Sequence, residues 1–362
     1  MKANLSPLQL KNFQKRLLRW FRAHKRDLPW RASRDPYRVW IAEVMLQQTR
    51  IAAVMPYYER FLHRLPDVES LARAPLAEVL KLWSGLGYYS RARNLHRAAK
   101  EILLHHKGKF PDELDAALQL PGIGRYTAAA VLSIAYDVPL GALDGNVARA
   151  LARLLGIRGD QREPRRWREL AKTAQDWLAC GSAGDWNQAF MELGETICMP
   201  QNPRCEICPV SKWCRAYKLG LTDKIPSPRV KRAAVRIKIA AAILRDPRGR
   251  TILVKDPGAH DHVLFSRMWQ FPAVEVARHP RAELERHLRA TLGVNGFALE
   301  ELPTARHGVT FRNITLLPFL ARVERLPTLP RTRILALENL RDVPVSSATR
   351  KIAAAASHLS VR

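Results

Sequence analysis

Leu120-Pro-Gly-Ile-Gly-Arg-Tyr-Thr127, followed by Leu143-Asp-Gly-Asn-Val147, is the stretch that decides how this chain is read. An apolar run ends at Leu120, Pro121 to Gly124 make a compact turn, and from Arg125 a helix of small residues begins: Thr127, Ala128, Ala129, Ala130, Val131, Leu132, Ile134 and Ala135. Gly122 and Gly124 lack a Cβ where backbone can approach a ligand. The opening helix points its amide groups and the positive end of its dipole outward. This reads as a phosphate cradle; the plain alternative is a helix-helix bend with glycine in it.

Charge supports the cradle. Across 362 residues there are 60 Lys and Arg against 33 Asp and Glu, a formal net charge of +27, which calls for a polyanionic partner and favours nucleic acid over a membrane surface. No apolar run is long enough to span a bilayer, and the length suits two or three domains. Phe13, Leu17, Trp20 and Phe21 read as the buried stripe of a first helix, not as a transit peptide.

Cysteines are unevenly placed. Cys198, Cys205, Cys208 and Cys214 fall in one proline-interrupted loop with six, two and five residues between them, while Cys180 stands apart and reads as a small buried hydrophobe. Four thiolates in so short a loop can enclose one metal centre, an iron-sulfur cluster or zinc; disulfides are the remaining alternative.

Further along the order of the chain, Asp35-Pro36 is a helix start, and Tyr37, Trp40, Ile41, Val44 and Met45 then recur at helical spacing. Glu43 lies off that stripe and faces solvent or a cleft. Gln47, Gln48 and Thr49 gather hydrogen-bonding groups at the helix end, a set able to read base edges. Helices are expected at 52–63, 76–83, 91–106, 165–179 and 186–197. Between the second and third, Gly85-Leu-Gly-Tyr-Tyr89 forms a glycine-hinged turn suited to wedging a base stack. Beyond a basic, proline-rich stretch at 222–234 the pattern changes to strands at 235–241 and 251–254, joined by Asp246-Pro-Arg-Gly249, with a helix at 283–292 and a strand at 314–323.

Taken together, Leu28-Pro-Trp-Arg31, Trp40 to Thr49, Gly85 to Tyr89, Leu120 to Gly124, Leu143 to Val147, Trp186-Asn-Gln188, Glu192-Leu-Gly194 and the cysteine loop resemble the helix-hairpin-helix, iron-sulfur DNA glycosylases, and among them the MutY-type adenine DNA glycosylases. The resemblance implies an all-α helix-hairpin-helix glycosylase region over 1–221, with a six-helix subdomain at about 30–135 and an iron-sulfur subdomain from 1–29 and 136–221. It further implies a linker at 222–234 and an α+β, Nudix-like domain over 235–362 that reads 8-oxoguanine. That domain contains Trp269-Gln-Phe-Pro272 and lacks the glutamate-rich Nudix box.

By the same resemblance the substrate is adenine opposite 8-oxoguanine or guanine in duplex DNA, flipped into a pocket and hydrolysed at its glycosidic bond. Glu43 is implied as the general acid and base and Asp144 as the stabiliser of the oxocarbenium-like sugar. Asn146 orients Asp144 and water, and Tyr126 supports the sugar. Tyr126 stands where bifunctional relatives carry a Schiff-base lysine, so a monofunctional glycosylase is expected instead of a lyase or a non-catalytic mismatch binder. Trp30, Arg31 and Gln188 are implied to hold adenine, Gln48 and Thr49 to read the orphaned base, and Leu86 and Tyr88 to wedge the stack. Gly122 and Gly124 hold a phosphate, with a monovalent cation at the hairpin. Cys198, Cys205, Cys208 and Cys214 ligate a [4Fe-4S] cluster. His307 and Thr310, within a Val309-Thr310-Phe311 triplet that departs from the family's Phe-Ser-His, are implied to contact 8-oxoguanine. A monomeric, cytoplasmic, nucleoid-associated bacterial protein is the corresponding expectation.

Overall fold

A computed structural model describes residues 5–227, 233–255, 268–309 and 311–357. The chain divides into two compact units, Met1–Ala74 with Ser90–Val230, and Pro75–Tyr89 with Lys231–Arg362. Among the described residues no helix is long and apolar enough to cross a membrane.

The first unit is helical: α1 Pro7–His24, α2 Pro36–Leu46, α3 Ile51–Arg64 and α4 Val68–Arg73. After α5 Leu76–Trp83, which belongs to the second unit, come α6 Ser90–His105, α7 Leu114–Gln119, α8 Arg125–Tyr136, α9 Gly145–Leu155, α10 Pro164–Asp176, α11 Ala183–Thr196 and α12 Arg215–Lys218. Local chemistry accounts for the key starts. Asp35 caps α2, its carboxylate accepting from the Tyr37 amide at 2.8 Å, with Pro36 in the first turn. Gly124 opens α8, and Asp144 caps α9 by accepting from the Val147 amide at 2.7 Å. The first-helix stripe is confirmed by Phe13, Leu17 and Phe21, all buried; Trp20 is only half-buried and stacks on His24.

Small residues bring three helices close. Ala128, Ala129 and Ala130 of α8 are buried where it packs against α2 and α11. α11 crosses its two neighbours at glycines: a Cβ on Gly184 would lie 2.6 Å from the Ser133 carbonyl oxygen of α8, and one on Gly194 would lie 2.7 Å from Asn146 Cβ of α9. Cys180, expected inside, is exposed: it lies in the turn between α10 and α11, next to the left-handed Gly181.

The second unit is built on a mixed sheet of β1 Val235–Arg245, β2 Arg250–Lys255, β3 Trp269–Gln270, β4 Ala273–Glu275, β5 Leu299–Glu301, β6 Ala305–Val309, β7 Arg312–Arg322 and β8 Thr332–Ala336, with α13 Pro280–Leu292 and α14 Ser347–Ser357. β1 and β2 form the expected hairpin, and β1 also runs parallel to β7 from Val235↔Arg312 to Arg245↔Arg322. The in-out alternation of β1 stops at Ala240 because both faces of the strand are then covered. Ala241 and Ile243 enter the core that includes Ile352 of α14, and Ala240, Ala242 and Leu244 enter the core that includes Leu284 and Leu288 of α13.

Candidate active site

A cavity of about 730 Å³ opens in the first unit between α2, the α8 and α9 starts, and α11. That volume is typical of a small-molecule site, about 300–1,000 Å³. Glu43, Tyr126, Asp144, Asn146, Trp30, Arg31, Gln48, Thr49, Gly124 and Gln188 all line it, although they come from positions spread over 158 residues of sequence, Trp30 to Gln188.

Glu43 is 6 % exposed, so it faces this cleft and not solvent. Burial pushes its carboxyl up to about 7, against the pull of the Tyr126 hydroxyl, which donates to Oε2 at 2.8 Å; the nearby Asp144 charge raises it further. Asp144 is also raised by burial. The amides of Val147 and Asn146 oppose this by donating to its carboxylate at the positive end of α9. Asn146 thus reaches Asp144 through its main chain, while its side-chain carbonyl accepts from Arg149 Nη2 at 3.0 Å. Arg149 continues to the carbonyls of Gly194 and Cys198, at 2.8 and 2.9 Å, so one buried guanidinium ties the α9 start to the cysteine loop.

On the opposite wall Arg31 Nε donates to Gln188 Oε1 at 3.2 Å and Arg31 Nη2 to Glu192 Oε2 at 2.8 Å. Arg26 grips the same Glu192 at 2.6 and 2.8 Å and reaches Glu195 at 2.6 Å. Glu192 is 1 % exposed; burial opposes its charge, but the two guanidinium groups outweigh burial and hold its carboxyl below the ordinary value. Trp30 is buried edge-on to Tyr58. At the end of α2, buried Arg91 donates to the carbonyls of Val44, Met45 and Gln47 and to Thr49 Oγ1, fixing the turn that carries left-handed Gln48.

Sequence reasoning missed Arg26, Glu192, Glu195 and Arg91 as functional groups. Gln188, Glu192 and Glu195 recur at i, i+4 and i+7 on one face of α11, a polar stripe that periodicity alone could have shown. The two hairpin glycines differ. Gly122 has φ +80°, and a Cβ there would lie 2.6 Å from the Asn94 side chain, whereas Gly124 borders open space at the cavity. Leu86 and Tyr88 belong to the second unit, Leu86 buried and Tyr88 40 % exposed; His307 is half-buried in β6, and Thr310 lies outside the described residues.

The four loop cysteines line one small void together with Leu154 and Val210, and Arg153 Nη1 donates to Cys198 Sγ at 3.3 Å. No three His, Cys, Asp or Glu side chains among the described residues are grouped to hold a single metal ion. A wall of thiols around a shared void, with a guanidinium to balance thiolate charge, fits a cluster better than one ion.

Residues 41–176 match the HhH-GPD superfamily of base excision DNA repair proteins, and residues 198–214 match the iron-sulfur binding domain of endonuclease III. The chain is similar to a solved thermostable thymine-DNA glycosylase, with TM-score 0.53 and 30 % identity over 58 % of this chain and 97 % of that one. Fold and site therefore define a helix-hairpin-helix DNA glycosylase of base excision repair, one whose cysteine loop carries a [4Fe-4S] cluster. A mouse adenine DNA glycosylase is 33 % identical over 97 % of this chain and 80 % of its own length, and a human one is 45 % identical over 56 % of this chain and 39 % of its own. The chain belongs to the adenine DNA glycosylase family.

Proposed function

We propose that this protein excises adenine lying opposite 8-oxoguanine or guanine in duplex DNA, hydrolysing the N-glycosidic bond after the nucleotide is flipped out of the stack. The observation that carries the reading is the convergence of Glu43 and Asp144 on one cavity, roomy enough for a flipped nucleotide. Bond breaking leaves negative charge on the purine and positive charge on the sugar, so the site needs a proton donor on one side and a carboxylate on the other. Glu43, its carboxyl pushed up to about 7, is partly protonated at neutral pH and delivers that proton to the departing base. Asp144, held by two main-chain amides against the burial that raises it, faces the sugar, and Glu43, once deprotonated, activates the attacking water.

Arg31 and Gln188 hold the adenine beside Trp30, Gln48 and Thr49 read the orphaned base, and Tyr126 and Asn146 support the two carboxylates. Gly122 and Gly124 hold a phosphate, with a monovalent cation at the hairpin. Leu86 and Tyr88 wedge the stack, and His307 and Thr310 in a Nudix-like domain contact 8-oxoguanine. Cys198, Cys205, Cys208 and Cys214 ligate the cluster, which orders the loop and takes no part in the bond-breaking step. A phenol forms no Schiff base, so Tyr126 makes the enzyme monofunctional. We read it as a monomer acting on the bacterial nucleoid.

Single-turnover excision from a duplex with adenine opposite 8-oxoguanine tests the proposal. The wild-type protein releases adenine, and Glu43→Gln binds the duplex but releases none. Equal release by both proteins overturns the role of Glu43, and strand cleavage trapped by borohydride overturns the monofunctional assignment.

A further inference from the structure

The turn between α5 and α6 is held in an unusual shape. Gly85, Gly87 and Tyr88 have φ of +114°, +73° and +48°, and a Cβ on Gly87 would meet open space. Bonds within the turn brace it: Trp83 Nε1 donates to the Gly87 carbonyl at 3.1 Å, and the Gly85 amide to the Tyr89 hydroxyl at 3.3 Å. Its remaining anchors come from far along the chain. The hydroxyls of Ser84 and Tyr89 both donate to the Val345 carbonyl, at 3.0 and 3.2 Å, and Arg350 Nη2 donates to Ser84 Oγ at 2.8 Å. Val345 is buried and bridges to Trp269 of β3, so this anchor is continuous with the sheet.

Arg350 sits on α14, and the next residue points elsewhere. Lys351 Nζ donates to the Arg306 carbonyl at 2.7 Å, one residue before His307 in the β6–β7 hairpin. That hairpin ends at Phe311, which is partly exposed and has the Arg312 guanidinium 5.3 Å from its ring. Two consecutive cations on one helix therefore hold two separate segments, each by a charge-assisted bond.

We propose that α14 is a brace: Arg350 and Lys351 lock the Ser84–Tyr89 turn and the Arg306–Val309 segment of β6 into one body, so that the segment reading the orphaned base and the segment wedging the stack engage DNA together. Arg350, Lys351, Ser84 and Tyr89 are positioning residues. This inference rests on the wedge and recognition readings given above.

The test uses the full-length holoprotein and the variants Arg350→Met, Lys351→Met, their double variant, and Tyr89→Phe. Two readouts separate bracing from folding: the ratio of single-turnover excision rates for adenine opposite 8-oxoguanine and opposite an abasic site, and the fluorescence rise of 2-aminopurine placed next to the lesion. In each single cation variant the rate ratio falls about tenfold, the effect of losing one charge-assisted hydrogen bond; in the double variant it falls further, and the fluorescence rise shrinks with it. Excision opposite the abasic site, where no base remains to be read, stays within about twofold of wild type by the same scale. Tyr89→Phe changes in the same direction. Unchanged ratio and fluorescence overturn the brace, and so does an equal loss on both substrates, which marks a folding defect. If the wild-type protein releases no adenine from either duplex, the proposed function fails instead, and the fluorescence signal still scores the brace.

Discussion

The Tyr126 hydroxyl donates to Glu43 Oε2 at 2.8 Å, placing a phenol against the carboxyl proposed as the proton donor. The bond favours the charged form of Glu43, so it opposes the burial that raises the group to about 7. Tyr126→Phe removes that opposition. Its excision rate falls about tenfold at neutral pH, because the departing charge on Glu43 loses a charge-assisted bond. The pH above which excision declines moves upward from about 7, read from single-turnover rates across pH. A downward move contradicts the geometry.

Glu43 also has a stability signature. Its carboxyl titrates at 4.5 ordinarily and at about 7 in the fold, so the folded state resists ionisation. Below pH 4.5 the group is protonated whether folded or not, and there is no penalty. Between 4.5 and 7 the penalty grows, and above 7 it is constant, at most about 3 kcal/mol. Glu43→Gln therefore melts higher than wild type at pH 8 and loses that advantage as pH falls toward 4.5, a trend followed by thermal unfolding at several pH values.

Glu192→Ala leaves Arg31 without its carboxylate and Arg26 with Glu195 alone. A loss of about 3 kcal/mol in urea unfolding is expected, the scale for breaking a buried pair by removing one partner. Adenine affinity drops as well, since Arg31 no longer has a fixed position from which to hold Gln188.

Oxidising the cluster and chelating its iron leaves the four thiols without their common partner. Arg149 and Arg153 are bonded to the carbonyls of Cys198, Met199 and Pro200, so the disturbance starts within reach of the α9 cap. Limited proteolysis is expected to cut first between Cys198 and Cys214, together with loss of the visible absorbance and of duplex binding. A loop that stays protease-resistant without iron contradicts this.

Much of the first unit was legible because its signals are local. Asp35-Pro36 starts α2, and Gly124 opens α8 where the turn ends. Glu43 could not be oriented from spacing, since α2 is buried at every position from Val39 to Met45 and carries no polar face to contrast with its apolar one. The Arg26–Glu192 pair joins residues 166 apart in sequence, a closeness no local pattern encodes. In the second unit the short strands β3 to β5 have too few residues to show alternation, and the parallel pairing of β1 with β7 depends on the whole sheet. Alanine-rich α14 was readable but not read: Ser346 caps it by accepting from the Thr349 amide at 3.0 Å, a start signal present in the sequence.

At its two crossings α11 meets its neighbours through glycines, and Asn187 one turn after Gly184 adds a side-chain bond to Ser133 Oγ at 2.8 Å. Gly184 meets the Ser133 carbonyl and Gly194 meets Asn146, and between these pins lie Gln188, Met191 and Glu192 on the cavity wall. The helix is thus keyed like a rail into two notches, and Gln188 and Met191, unlike the ion-paired Glu192, are interchangeable tooling. Base preference can be redesigned at Gln188 and Met191 while Glu43 and Asp144 keep their places; a single methyl added at Gly194 would jam the rail and silence every such redesign at once.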